Sequence, residues 1–87
     1  MRQVHAFVGV FVESHLFDDV VQALSKLSNV EELYEVTGEY DIVMLVSAED
    51  IEEFRNTLTN EIMKVPGVKS TVSSIVLQPH KGIKCRD

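Results

Sequence analysis

The chain has 87 residues, 45% of them hydrophobic and 25% charged, which sets the scale at one domain with one modest core and excludes a second. Fourteen acidic residues (14) against eight basic ones (8) give a formal net charge of −6, so the chain repels a phosphate backbone and direct nucleic-acid binding is not expected. Its longest apolar run, Ala6 to Val12, is too short to span a bilayer and no small-residue cleavage site follows it, so the expectation is a cytoplasmic protein without membrane contact.

Val4 to Val12 is rich in β-branched and aromatic residues and apolar at both parities of the two-residue strand period. That is the pattern of a central strand buried on both faces. Ser14 stands as N-cap to a helix whose Phe17, Val20, Val21, Leu24 and Leu27 share one face. Ser28-Asn29 breaks that helix. Val30 to Thr37 then sets Val30, Tyr34 and Val36 against Glu31, Glu35 and Thr37, with Glu32 and Leu33 interrupting the alternation, and reads as a half-exposed edge strand.

Gly38-Glu39 predicts a two-residue type II′ hairpin into a third strand, Tyr40 to Ser47, again apolar at both parities and therefore central. Ser47-Ala48-Glu49-Asp50 resembles a capping box, and Ile51, Phe54, Leu58 and Ile62 predict a second helix ending near Val65. Pro66-Gly67 turns the chain into a last strand, Val68 to Leu77, in which Val68, Val72 and Val76 alternate with Thr71, Ser73 and Ile75 until Pro79. The tail, 79–87, has no period. It holds Cys85, the only cysteine, which excludes an internal disulfide and a CxxC motif; it is expected to be an incidental thiol, with an intermolecular bridge as the alternative.

The two halves echo each other, with Leu27-Ser28-Asn29-Val30 standing where Val65-Pro66-Gly67-Val68 stands later. Two βαβ halves predict an α+β, ferredoxin-like βαββαβ sandwich over residues 1–87, with an antiparallel sheet in the order 4-1-3-2 and both helices on one face. The other face is then bare, yet Phe7 and Phe11 occupy one parity of strand one and Val8, Val10 and Val12 the other. Leaving either set in water exposes an apolar patch of a size unusual for a monomer. Self-association of two copies through the open face, with Phe7 or Phe11 in the interface, is the expected solution.

Catalytic chemistry finds little footing. His5, His15 and His80 lack metal-ligand spacing, and no nucleophile elbow, P-loop or dinucleotide fingerprint is present, so neither metal nor cofactor is expected and no catalytic residue is assigned. Glu31-Glu32 and Glu49-Asp50 with Glu52-Glu53 fit solvated, dipole-compensating faces better than a carboxylate pair. What remains is the hairpin Thr37-Gly38-Glu39-Tyr40-Asp41, the hydroxyls Thr71 and Ser73 on one face of strand four, and the turn Pro66-Gly67-Val68.

Together with Ala6-Phe7-Val8 and Tyr34-Glu35-Val36, these residues resemble the effector domain of Lrp/AsnC transcription regulators, the RAM domain, over Val4 to Leu77. Ser73 stands where the family has a second Thr, which keeps the hydroxyl. The resemblance implies a homodimer with facing sheets, gathered into a ring (octamer or decamer), and an amino-acid effector held between dimers. Family regulators also carry an N-terminal helix-turn-helix. A chain beginning at the first strand is similar to the stand-alone members, for which a full-length regulator is the expected partner.

A zwitterion needs donors at its carboxylate and acceptors at its ammonium. Thr37, Gly38, Glu39, Tyr40 and Asp41 of one chain meeting Thr71 and Ser73 of a neighbour offer both, although Asp41 has the alternative of only bracing the hairpin. Two other functions compete. One is a dimeric α/β-barrel enzyme with a pocket between sheet and helices that His5 would face, although Trp is absent. The other is an assembly module with no ligand. An ACT-like amino-acid sensor would share the fold, but the V-T-G-x-Y-D hairpin favours Lrp/AsnC.

Overall fold

The computed structural model describes residues 3–83, so Cys85 lies outside the described residues. The chain runs β1 (Val4–Val12), a 3-10 turn (Ser14–Leu16), α1 (Phe17–Ser25), β2 (Val30–Glu35), β3 (Ile42–Ala48), α2 (Ile51–Thr57), a π turn (Leu58–Ile62) and β4 (Val68–Ile75). The strands form one antiparallel sheet in the order β2-β3-β1-β4, the expected order read from its other edge. Ala6, Val8 and Val10 of β1 and Ile42, Met44 and Val46 of β3 are fully buried, in one cluster with Val20 and Leu24 of α1, Phe54 of α2 and Ile62. Both helices therefore cover the same face.

The internal echo is visible in the backbone. Val30 N donates to Leu27 O and Val68 N to Val65 O, each at 3.1 Å, so both helix-to-strand turns close alike. Each turn is followed by a β-bulge: Val30 pairs with Val46 but Glu32 with Leu45, and Val68 pairs with Val12 but Ser70 with Phe11. Glu31 and Lys69 are the inserted residues, and each insertion moves the rest of its strand to the opposite parity. The single-face sets expected for these strands are corrected accordingly. Val30 and Val68 pack on the helix-side core, whereas Tyr34, opposite Val43, and Val72, opposite Gly9, lie on the open face. The bulge at Glu31 is what interrupts the alternation at Glu32 and Leu33.

Both predicted helix starts are displaced. Ser14 does not cap α1; it opens the 3-10 turn, and α1 follows with Leu16 at its N-cap and no side-chain cap bond. Ser47 is inside β3, and the N-cap of α2 is Asp50, whose Oδ1 accepts from Glu53 N at 2.8 Å while Glu53 Oε1 accepts from Glu49 N. Asp50 and Glu53 together do the work expected of a capping box, three residues further on, with Glu53 reaching the amide one residue before the cap. Ile51 is 55% exposed, not on the buried stripe. The α-helix gives way after Thr57 to the π turn, where Met63 N bonds Leu58 O. Widening the last turn offsets the drift of a four-residue spacing and keeps Ile62 in the core with Phe54.

Candidate functional site

The open face is built from the strand positions that the helices do not cover. Paired residues of antiparallel strands share a face, which places His5, Phe7, Gly9 and Phe11 of β1 with Val43, Leu45 and Ser47 of β3 and Ser70, Val72 and Ser74 of β4. Phe7 and Val72 are each 46% exposed and Tyr34 is 55% exposed. In one copy, then, β1 is covered on its helix side, while on the open face Gly9 is buried and Phe7 stands exposed. His5 shares the open face with Phe7, so it does not face a space between sheet and helices; Ala6 holds that side, fully buried.

Tyr40 bends back from the hairpin onto this face. Its ring lies so close over Gly9 that a Cβ there would come within 2.4 Å of it, and it meets Phe11 edge-on at 5.6 Å between centroids. Only glycine at position 9 lets the ring settle against the strand. The hairpin keeps the register of a loop centred on Gly38-Glu39, since Glu35 pairs with Ile42 and Val36 N donates to Asp41 O at 3.1 Å. Regular pairing nevertheless stops at Glu35 and Ile42, because Tyr40 and Asp41 turn toward β1. Gly38 has φ +108° and open space where a Cβ would stand, so its requirement is one of backbone conformation.

Asp41 N donates to Val10 O at 3.0 Å and Asp41 Oδ2 accepts from Val12 N at 2.8 Å. The carboxylate thus ties the hairpin root to the end of β1. Thr37 and Glu39 are exposed. Thr71 and Ser73 pair with Val10 and Val8, which puts both hydroxyls on the helix-covered side at the β4 edge, Thr71 half-buried and Ser73 exposed. Val10 lies between Asp41 and Thr71, so two strand spacings, roughly 10 Å, separate the hairpin root from the hydroxyls of the same chain. One chain does not join them.

The sequence pattern passes over two features. Asn29, only 6% exposed, donates from Nδ2 to Ser47 O at 2.8 Å and accepts Ser47 N on its own carbonyl at 2.9 Å; the fully buried Ser47 hydroxyl bonds Glu31 Oε2. This closes the β2–β3 end of the sheet, and its sequence signal is a serine in an apolar strand. Nearby, Tyr34 donates its hydroxyl to Glu32 Oε1 at 2.9 Å. That bond, and the carboxylate's charge, hold the phenol above its ordinary pKa. The second feature is a cavity of about 510 Å³ between the strands and the segment from Gln78 to Ile83. Among the described residues no group of three or more His, Cys, Asp or Glu side chains is placed to hold a metal, and no helix is long and apolar enough to cross a membrane.

A family profile described as "Lrp/AsnC ligand binding domain" matches residues 5–83. The HTH-type transcriptional regulator FL11 of Pyrococcus horikoshii is 38% identical over 76 residues, which are 87% of this chain and 50% of the regulator. Homocitrate synthase of Saccharolobus islandicus is 35% identical over 78 residues, 88% of this chain and 17% of that enzyme. Among solved structures, E. coli AsnC superposes with a TM-score of 0.89 at 28% identity, covering 94% of this chain and 56% of AsnC. The chain thus spans about half the length of the regulators it matches.

Proposed function

Because the chain belongs to the Lrp/AsnC ligand-binding domain family over residues 5–83, we propose that it is a non-enzymatic, amino-acid-responsive regulatory module. It acts in the cytoplasm as a homodimer joined through the open sheet faces, with dimers gathered into a ring, and influences transcription through a partner that bears a helix-turn-helix. The observation that carries this reading is the bare apolar face, with Phe7 and Val72 each 46% exposed at the middle of the sheet. A second copy laid face to face removes that surface from water, and twofold symmetry lets one patch serve both partners. The charge of −6 favours action on DNA through the partner rather than by this chain alone.

The effector site of this proposal lies where the hairpin of one chain meets β4 of another. Turn amides around Gly38 and the hydroxyls of Thr71 and Ser73 supply donors for a carboxylate, and Glu39 supplies an acceptor for an ammonium. Thr37 and Tyr40 frame the turn. Asp41 serves by holding the hairpin in place. The strand's width between the two sets in one chain supports a site completed by a neighbour. A second reading, favoured by the match to homocitrate synthase, gives the module an enzyme as its partner.

Thermal-shift measurement with each of the twenty amino acids, with native mass spectrometry in parallel, tests the proposal, since a ligand that binds only the folded protein raises its stability by mass action. One or a few amino acids should raise the midpoint of an even-numbered oligomer. Thr71→Val should then weaken the best ligand by about 1–3 kcal/mol in calorimetric titration, with the fold unchanged. A monomer unaffected by any amino acid overturns the reading.

A further inference from the structure

Tyr40 belongs to the hairpin and to the open sheet face at once. The atoms that a Cβ on Gly9 would meet first are Cδ1, Cε1 and Cγ of its ring, at nearly equal distances, so the ring lays one face on β1 and turns the other away from the sheet. Phe11 meets it edge-on at an interplanar angle of 67°, and Tyr40 stays half-buried. A glycine inside a central strand forfeits packing, and the close approach of a neighbour is what requires it there. We propose that this seat is a latch that orders the hairpin, closed when a second copy of the chain covers the outer face of the Tyr40 ring.

Regular pairing of the hairpin ends at Glu35 and Ile42. Beyond it Val36 N donates to Asp41 O at 3.1 Å, Asp41 N to Val10 O at 3.0 Å and Val12 N to Asp41 Oδ2 at 2.8 Å, while Thr37, Gly38 and Glu39 are exposed. Asp41 therefore fixes the root, and the Tyr40 ring, one residue nearer the tip, fixes the direction in which the turn projects. In a single copy the ring keeps an uncovered side on the same face as Phe7 and Val72, each 46% exposed. A second sheet laid on that face removes the ring from water. An unlatched ring forgoes that burial, so association shifts the hairpin toward its latched state. The proposal rests on the self-association reading and not on the identity of any effector.

Amide hydrogen exchange on the whole protein, followed by NMR over a dilution series whose monomer and dimer fractions are read by sedimentation, tests the latch. The Val36 and Asp41 amides report on the hairpin, and the Val30 and Val68 amides, which close the two helix-to-strand turns, report on the rest of the fold. As the dimer fraction rises, exchange at Val36 and Asp41 should slow about tenfold more than at Val30 and Val68. Gly9→Ala fills the seat and Tyr40→Ala removes the ring. At equal dimer fraction either should erase that extra slowing, whereas Tyr40→Phe, which keeps the ring, should retain it. The chain has only two tyrosines, so a fluorotyrosine label assigned with Tyr34→Phe gives a Tyr40 signal that should move with dimer fraction in the wild type and not in Gly9→Ala. The proposal is overturned if a protein that dimerises shows equal slowing at all four amides, or if Gly9→Ala and Tyr40→Ala both keep the extra slowing. A wild type that stays monomeric in sedimentation overturns the self-association reading and the latch together.

Discussion

Both faces of β1 carry large apolar side chains, and they end differently. Ala6, Val8 and Val10 are fully buried beneath the helices, while Phe7, set between the first two, stands 46% exposed. The difference is not in hydrophobicity, for Phe7 gains as much as any neighbour when removed from water. It lies in what the chain has available to cover each face: α1 and α2 finish one side, whereas on the other only the Tyr40 ring over Gly9 and the segment Gln78 to Ile83 beside Leu45 approach the sheet, and Phe7 and Val72 stay half exposed. A run apolar at both parities therefore marks a strand meant to be buried on both sides without saying which molecule does the burying.

Substitutions on the two faces should separate folding from assembly, with the largest effect on the open side. Phe7→Asp would place an unpaired charge at a sheet-to-sheet contact, a cost of about 3–5 kcal/mol to association. Sedimentation should then show a monomer whose circular dichroism is native. A wild-type protein that already sediments as a monomer at micromolar concentration breaks the comparison at its root. On the covered face, Leu24→Ala, at a side chain with 0% exposure, should cost about 2–5 kcal/mol in chemical unfolding. Its oligomeric state should not change while the protein remains folded.

At the junction of the two regions, Asp41→Ala leaves Val12 N, whose bond to Oδ2 is 2.8 Å, without its acceptor. A loss of about 1–3 kcal/mol is expected, with faster hydrogen exchange at the Val12 amide. An unchanged exchange rate would remove the brace. The smallest effect belongs to Tyr34 at the β2 edge, whose neutral hydroxyl donates to Glu32 and whose pKa is therefore raised. Its contribution is fully present below the ordinary phenol pKa and is lost as pH rises through the raised value. Ultraviolet titration should show a tyrosine ionising late, and Tyr34→Phe should abolish that component; a titration curve with no late component would remove the Glu32 bond in solution.

Much of the architecture was legible because its signals are local. The apolar runs of β1 and β3, the turn residues at Ser28-Asn29 and Pro66-Gly67, and the repetition of the two halves lead to the sheet order seen. The hairpin register around Gly38 was legible for the same reason, since loop length and a positive φ belong to adjacent residues. The helix caps were less so. Ser14 and Ser47 have the right chemistry, but where a helix starts depends on how far the preceding strand continues in its pairing, and β3 runs through Ser47 to Ala48.

Sequence by itself determined the fold class, the bare face and the residue types around the hairpin, since each follows from periodicity and from turn preferences between near neighbours. Only the tertiary structure decided which face each edge-strand residue joins. A bulge is set by the partner strand, so the insertions at Glu31 and Lys69, and with them the placing of Thr71 and Ser73 on the helix-covered side, are invisible to a two-residue period. The same holds for Tyr40 on Gly9 and for the Asp41 brace to Val12. These are contacts between residues about thirty positions apart in sequence, formed only once pairing has brought the strands together, and no local preference encodes a partner at that distance.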